Sequence, residues 1–264
     1  MAISAGNLRL LRFFAPALVS FFPLQALADN DFSVGVEGFE DVYKEPTATV
    51  DTHSKYESVD ANYTHISDDF FTAIDGRYSS GTSDYKSDSG ILNGDDEIET
   101  DTRLRTGAVM QAWHGLVMPY IGVGWRYYFD EGKGHETNLG AFAYDRHINQ
   151  LYLPVGATYK YTSSDGWTFS PTVELGPLLY GWVESHLDPT VSNYQKKGFE
   201  TRADFMVGQQ YKYFGWEAGP FVRYWHMQDS HCTRPDDVVL PPGECLEEPK
   251  NTRLQSGAEL RLNF

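Results

Sequence analysis

The chain has 264 residues, 41% apolar and 15% aromatic, with 37 acidic against 21 basic side chains and a formal charge of −16. That balance excludes nucleic acid as a partner and argues against anionic lipid surfaces, since both call for a basic face. No run of about 18 apolar residues follows residue 28, so no transmembrane helix is expected there.

Residues 1–28 read as a secretory signal peptide. Arg9 and Arg12 form a short positive segment, "FFAPALVSFFPLQ" is apolar, and "ALA" ending at Ala28 is an A-x-A cleavage pattern before Asp29. Pro16, Pro23 and the small-residue cleavage site weigh against a retained anchor. Cleavage removes two arginines and no acid, so the charge moves from −16 to −18 over the remaining domain, 29–264.

From there the signal is period two. Segments 32–43, 55–66 and 70–81 alternate weakly, and 98–112 sets Ile98, Leu104, Ala108 and Met110 against Glu99, Asp101, Arg103 and Arg105. In "PYIGVGWRYYFD", 119–130, one face is apolar or aromatic throughout while the other carries glycine, tyrosine, Arg126 and Asp130. Segments 147–161, 167–180, 199–210, 216–225 and the terminal run to Phe264 complete a set of ten. Pro154 and Pro177 fall inside two of them and each removes a ladder donor, so bulges are expected there. Such segments exceed the usual soluble strand of about 5–6 residues and suit a tilted membrane strand of about 9–11.

Short turns are read at 66–69, 114–117, 162–166 and 212–215, alternating with long polar loops near 44–54, 82–97, 131–146, 185–198 and 228–250. Short periplasmic turns alternating with long extracellular loops are the topology of outer-membrane barrels. The expected fold is all-β: a closed antiparallel transmembrane barrel of about ten strands in an up-and-down meander. Closure follows because hydrocarbon offers no water to satisfy an open sheet edge. Trp113, Trp167, Trp216 and Phe264 fall where an interfacial aromatic girdle is expected.

The signal segment, the alternating strands and the terminal "LRLNF" resemble those of the bacterial outer-membrane β-barrel proteins. The resemblance is one of pattern over residues 29–264. It implies an outer-membrane location, contact with lipopolysaccharide, and a terminal Phe264 read by the barrel assembly machinery.

The inward faces hold charges of both signs. The candidate network or pore lining comprises Arg103, Arg105, Arg126, Arg202 and Arg223 with Glu174, Glu200 and Glu217 opposite. In a barrel near the eight-strand size, whose interior side chains just fill, the plainer expectation is ion pairs bracing a closed lumen. The alternative is a narrow solute channel with charged rings.

An enzyme is the competing class. Omptin proteases also have ten strands with an acidic pair and an Asp-His pair at the rim. This chain carries Asp145 and His147, His186 and Asp188, and Glu99 and Asp101, each two residues apart and so able to share a face. The register turns Asp145 and His147 outward with Leu151 and Leu153, and no wider omptin pattern is present. Asp229, Ser230 and His231 are triad residue types, but neighbours on a strand point to opposite faces. The acidic stretch 93–101, read as a loop, lacks the EF-hand spacing for Ca²⁺. Cys232 and Cys245 are expected to form a disulfide closing a short loop, with a metal pair disfavoured for want of further ligands. No cofactor is expected. The favoured function is a structural or surface-binding barrel meeting an external ligand through its extracellular loops.

Overall fold

The computed structural model describes residues 30–46, 49–187, 189–234 and 245–264; the proposed signal segment and Asp188 lie outside them. Its strands are β1 (Asn30–Glu45), β2 (Val50–Ser67), β3 (Phe70–Ser87), β4 (Gly90–Ala108), β5 (Met110–Ala112), β6 (Gly115–Glu131), β7 (Arg146–Tyr152), β8 (Val155–Thr162), β9 (Trp167–Ser185), β10 (Val191–Gln195), β11 (Gly198–Gln210), β12 (Gly215–Met227) and β13 (Asn251–Asn263). Each barrel strand pairs antiparallel with its neighbours in sequence, and β13 pairs with β1 to close the sheet. β5 continues the line of β4, β7 and β8 together make one crossing, and β10 stands as a hairpin on the far end of β9. Ten strands therefore form the wall, in the expected up-and-down order.

Period-two burial runs along the wall. In β1 the odd positions Ser33 to Glu45 are buried, while Val34 and Val36 are exposed outward. The outward set includes Val59, Ile74, Leu104, Ile121, Val123, Val173, Leu175, Val207, Leu260 and Leu262, an apolar band of the kind hydrocarbon requires. At the end carrying both termini, Trp113, Trp167, Tyr213 and Phe264 are exposed aromatics, and Trp216 packs edge-on against Trp167. Phe264 exchanges backbone hydrogen bonds with Phe32 across the closing seam, N to O distances 2.8 and 3.3 Å.

The turns at this terminal end match the four expected ones: 68–69, 113–114, 163–166 and 211–214. The opposite, loop end differs. Only four residues separate β1 from β2 and two separate β3 from β4 where long loops were expected, because β2, β3 and β4 run 18, 18 and 19 residues. At about 3.4 Å per residue such strands reach about 60 Å along their axes, well beyond a hydrocarbon core of about 30 Å. Above the apolar band both sheet faces are polar, so the alternation in residues 82–97 fades although the ladder continues. The acidic stretch 93–101 is thus strand, with Glu97, Glu99 and Asp101 turned inward. Gly94, at φ +76°, takes up the extra residue of a bulge opposite Ser83 and Asp84.

Both prolines sit at irregularities. Leu153 and Pro154 break the crossing between β7 and β8, and the register between β7 and β9 shifts past Leu151, two residues from Pro177. The ladder is patched there: Leu153 N donates to Pro177 O at 3.0 Å and Gly122 N to Pro154 O at 2.8 Å.

Close strand approach makes some glycines structural. A Cβ on Gly208 would lie 1.8 Å from the Trp216 carbonyl oxygen, whereas one on Gly38 would meet nothing within 4 Å. Gly208→Ala is therefore expected to destabilise the refolded barrel by about 1–3 kcal/mol, as overpacking does, while Gly38→Ala leaves it unchanged. Urea unfolding in lipid vesicles checks the pair.

Candidate functional site

The lumen is filled by layers of side chains. Near the terminal end Phe71, Ala73, Met118 and Tyr120 form an apolar cluster. Above them lies a charged layer. Arg105 forks onto Asp75 with both contacts at 2.7 Å, and Arg103 reaches both oxygens of Glu174 at 3.2 Å and Asp75 at 3.7 Å. Arg202 meets Asp101 at 2.8 Å, and Tyr152 donates to the same carboxylate at 2.8 Å. Arg223 forks onto Glu37 at 2.6 and 3.0 Å while Arg77 bridges Glu37 and Glu99. Arg126 binds Glu99 and donates to Gln150 at 2.9 Å. Arg253 contacts Asp41 at 3.5 Å and lies over the Tyr128 ring. A second apolar cluster, Phe39, Tyr56, Tyr128, Ile148, Val183 and Phe221, packs among these charges, its Tyr56 and Tyr128 hydroxyls donating to Glu97.

All eight candidate charges therefore face inward, but only Glu174 of the three glutamates stands opposite arginines, Arg103 at 3.2 Å and Arg202 at 3.9 Å. The arginines are chiefly satisfied by Glu37, Asp75, Glu99 and Asp101. Glu217 accepts from Ser170 Oγ at 2.8 Å, and Glu200, packed over Gly176, meets no N–H or hydroxyl donor among the described residues. Pairing is what makes this burial tolerable, because a desolvated guanidinium without a carboxylate costs several kcal/mol. The sequence reading passed over Asp41, Arg253 and the inward aromatics Phe39, Phe221 and Trp225. Their parity with Glu37, Arg223 and Gln255 was the available signal.

The gaps left in the lumen are small. Cavities of about 20 Å³ beside Trp225 and Arg253, and about 50 Å³ beside Asp60 and Arg261, have room for a few waters each. A cavity of about 100 Å³ opens at the terminal end. Between them Glu99, Tyr152 and Glu200 have no exposed surface.

The loop end differs: a cavity of about 500 Å³ opens there, lined in part by Tyr128, Ile148, Glu97 and Arg253. Segment 132–145 folds onto the β3–β4 hairpin through Thr137 Oγ1 to Ser89 O, 2.6 Å, Asn138 N to Ile91 O, 2.9 Å, and His135 Nδ1 with Asp95 Oδ1, 2.5 Å. Across the mouth, the segment after β12 is held by the Cys232–Cys245 disulfide, by a bridge between Thr233 and Leu246, and by Asn193 Nδ2 donating to Leu246 O at 3.1 Å. Glu248 pairs with Arg146, and its backbone N donates to Ser230 Oγ at 2.8 Å. Burial holds the Glu248 carboxyl above its ordinary range against the pull of Arg146, and burial likewise raises the Tyr144 phenol.

Among the described residues the hydrolytic constellations built on Asp145 and His147, Glu99 and Asp101, and Asp229, Ser230 and His231 do not assemble; the His186–Asp188 pair lies partly outside them. His147 packs outward among Tyr127, Phe129 and His186, while Asp145 Oδ1 accepts from Lys133 N at 2.9 Å. Glu99 and Asp101 are tied up in the lumen ion pairs. Ser230 Oγ donates to His231 O, and Asp229 Oδ1 accepts from Lys250 N, so both serve the loop.

With this geometry in place, comparison gives the fold. No protein-family model matches the sequence, and no curated protein does. Among solved structures, the outer-membrane protease OmpT from Escherichia coli superposes with a TM-score of 0.55 at 10% identity, covering 89% of this chain and 97% of that one. The fold is that of an outer-membrane barrel. The translocator domain of autotransporter NalP from Neisseria meningitidis gives a TM-score of 0.45 at 9% identity, covering 91% of this chain and 89% of its own. At such identities the likeness extends to architecture alone.

Removing one partner of a buried pair leaves the other charge uncompensated. Arg223→Met leaves Glu37 with only the 3.4 Å contact to Arg77 and is expected to cost about 3–5 kcal/mol. Adding Glu37→Gln to that variant should restore part of the loss. A double-mutant cycle of urea unfolding in vesicles measures both.

Proposed function

We propose that the protein is an integral bacterial outer-membrane barrel with a sealed lumen, acting at the cell surface by binding an external ligand at its loop end. In this reading residues 1–28 direct export, the assembly machinery reads Phe264, and lipopolysaccharide surrounds the outer half of the band. The carrying observation is the continuous packing across the barrel: paired charges interleaved with aromatic side chains, with gaps of only about 20 and 50 Å³ between them. A conducting pore needs a path along which ions bind weakly and leave, and guanidiniums committed to carboxylates do not supply one. The loop end, by contrast, combines a roomy concavity with segments fixed by a disulfide and many hydrogen bonds. Binding sites are commonly such preformed concave surfaces.

Planar-bilayer recording of refolded residues 29–264 tests the seal. The expected record shows no discrete conductance steps. Steps whose ion preference shifts in Arg103→Ala or Arg126→Ala would overturn the reading in favour of a narrow channel.

A further inference from the structure

The loop-end cavity has a chemistry of its own, and its ligand class can be read from its walls; the inference rests on the surface-binding function proposed above. Its volume, about 500 Å³, lies in the range of sites for small organic molecules.

Four carboxylates on its wall, Glu45, Glu97, Asp130 and Glu247, have no salt-bridge partner among the described residues, although Glu97 accepts the Tyr56 and Tyr128 hydroxyls. The two arginines in the same wall are committed elsewhere: Arg146 to Glu248 and Arg253 to Asp41. Glu45 accepts the Tyr43 hydroxyl on Oε1. Thr52, Ser83 and Ser185 add hydroxyl groups to the wall. Tyr85, Phe142 and Tyr144 add aromatic surface.

Excess negative charge and aromatic rings together select a positively charged organic group. Carboxylates bind it by charge-assisted hydrogen bonds, and the rings attract it through their electron-rich faces. A bare metal ion is a poor fit, because these carboxylates do not converge. The group of acids close enough to share an ion among the described residues is Glu37, Asp60 and Glu259, inside the lumen beside Arg223 and Arg261. Spread around a wide cavity, the wall acids suit a ligand with its cation on an apolar body.

We propose that this vestibule binds a small organic cation, an ammonium or guanidinium group carried on an aromatic or alkyl frame.

The test uses the refolded chain 29–264 in lipid nanodiscs and titration calorimetry with three matched probes: 2-phenylethylammonium, neutral 2-phenylethanol and anionic phenylacetate. Expected is saturable binding of the ammonium, at least about tenfold weaker binding of the alcohol, and none of the anion; loss of one charged contact corresponds to roughly tenfold. Asp130→Asn and Glu45→Gln should each weaken the ammonium about tenfold, whereas Glu40→Gln, on the outer face, should not change it. Rising salt should lower the affinity. Equal binding of alcohol and ammonium, or binding of none of the three, would overturn the proposal. The probe comparison on the unaltered protein stands even if a variant fails to refold. A silent barrel that binds the alcohol as well as the amine sinks the ligand class alone, while conductance steps sink the sealed-barrel reading beneath it.

Discussion

A sheet edge in hydrocarbon leaves a row of amides and carbonyls with nothing to bind, and the seam between β1 and β13 removes that edge. Most other features follow from closing the sheet with ten strands. Ten strands fix a narrow bore, and a bore of that size must be filled by side chains rather than water. Because the outer face is given over to lipid, the polar half of every strand is driven inside. The result is a core opposite in character to that of a soluble protein: arginines and carboxylates in the middle, aliphatic side chains outside. Such a core holds only if each charge finds its opposite, and the lattice running through Glu37, Arg77, Glu99 and Arg126 is how this chain meets the demand.

The apolar residues inside refine this picture. Tyr56 stacks on Phe39 with ring centres 4.9 Å apart, Phe221 meets Phe39 edge-on at 5.9 Å, and guanidiniums lie over Phe39 and Phe221. An arginine between a carboxylate and an aromatic face is satisfied both in its plane and above it. The aromatics exclude water from the ion pairs, and the ion pairs fix the aromatics. Packing of this kind favours a rigid plug over a gate.

Strand count, direction of the faces, terminal-end turns and closure were legible in the sequence, because lipid imposes a two-residue period wherever a strand crosses it. The inward parity of Arg103, Arg126, Glu174 and Arg223 came from that same period. The upper halves of β2, β3 and β4 were not legible as strand: above the band both faces are polar, so the outward Asp84 and Lys86 and the inward Asp95 and Glu97 carry no contrast although the ladder continues past the bulge at Gly94. Partner choice inside the lumen was equally hidden. Period two says which residues point inward, but which arginine meets which acid depends on the stagger between strands. The inward aromatics Phe221 and Trp225 broke the rule that inward means polar. The cavity at the loop end had no sequence signature, since it is made by segments distant in the chain folding over one mouth.

The closing seam also bears on the order in which the molecule comes together. It joins residues at opposite ends of the chain, with Ser33 beside Asn263 and Lys44 beside Thr252. Neighbouring hairpins can zip as soon as both arms exist, whereas the seam pays the entropy of closing nearly the whole chain into a ring. Arg223 with Glu37, and Arg253 with Asp41, connect residues 186 and 212 positions apart, and both links cross or flank that seam. They are therefore late contacts, absent while the sheet is open and formed together when it shuts. Interactions missing from the transition state slow unfolding more than they speed folding. The internal charges then act as a latch: they do little to guide assembly, but they lengthen the life of the finished barrel.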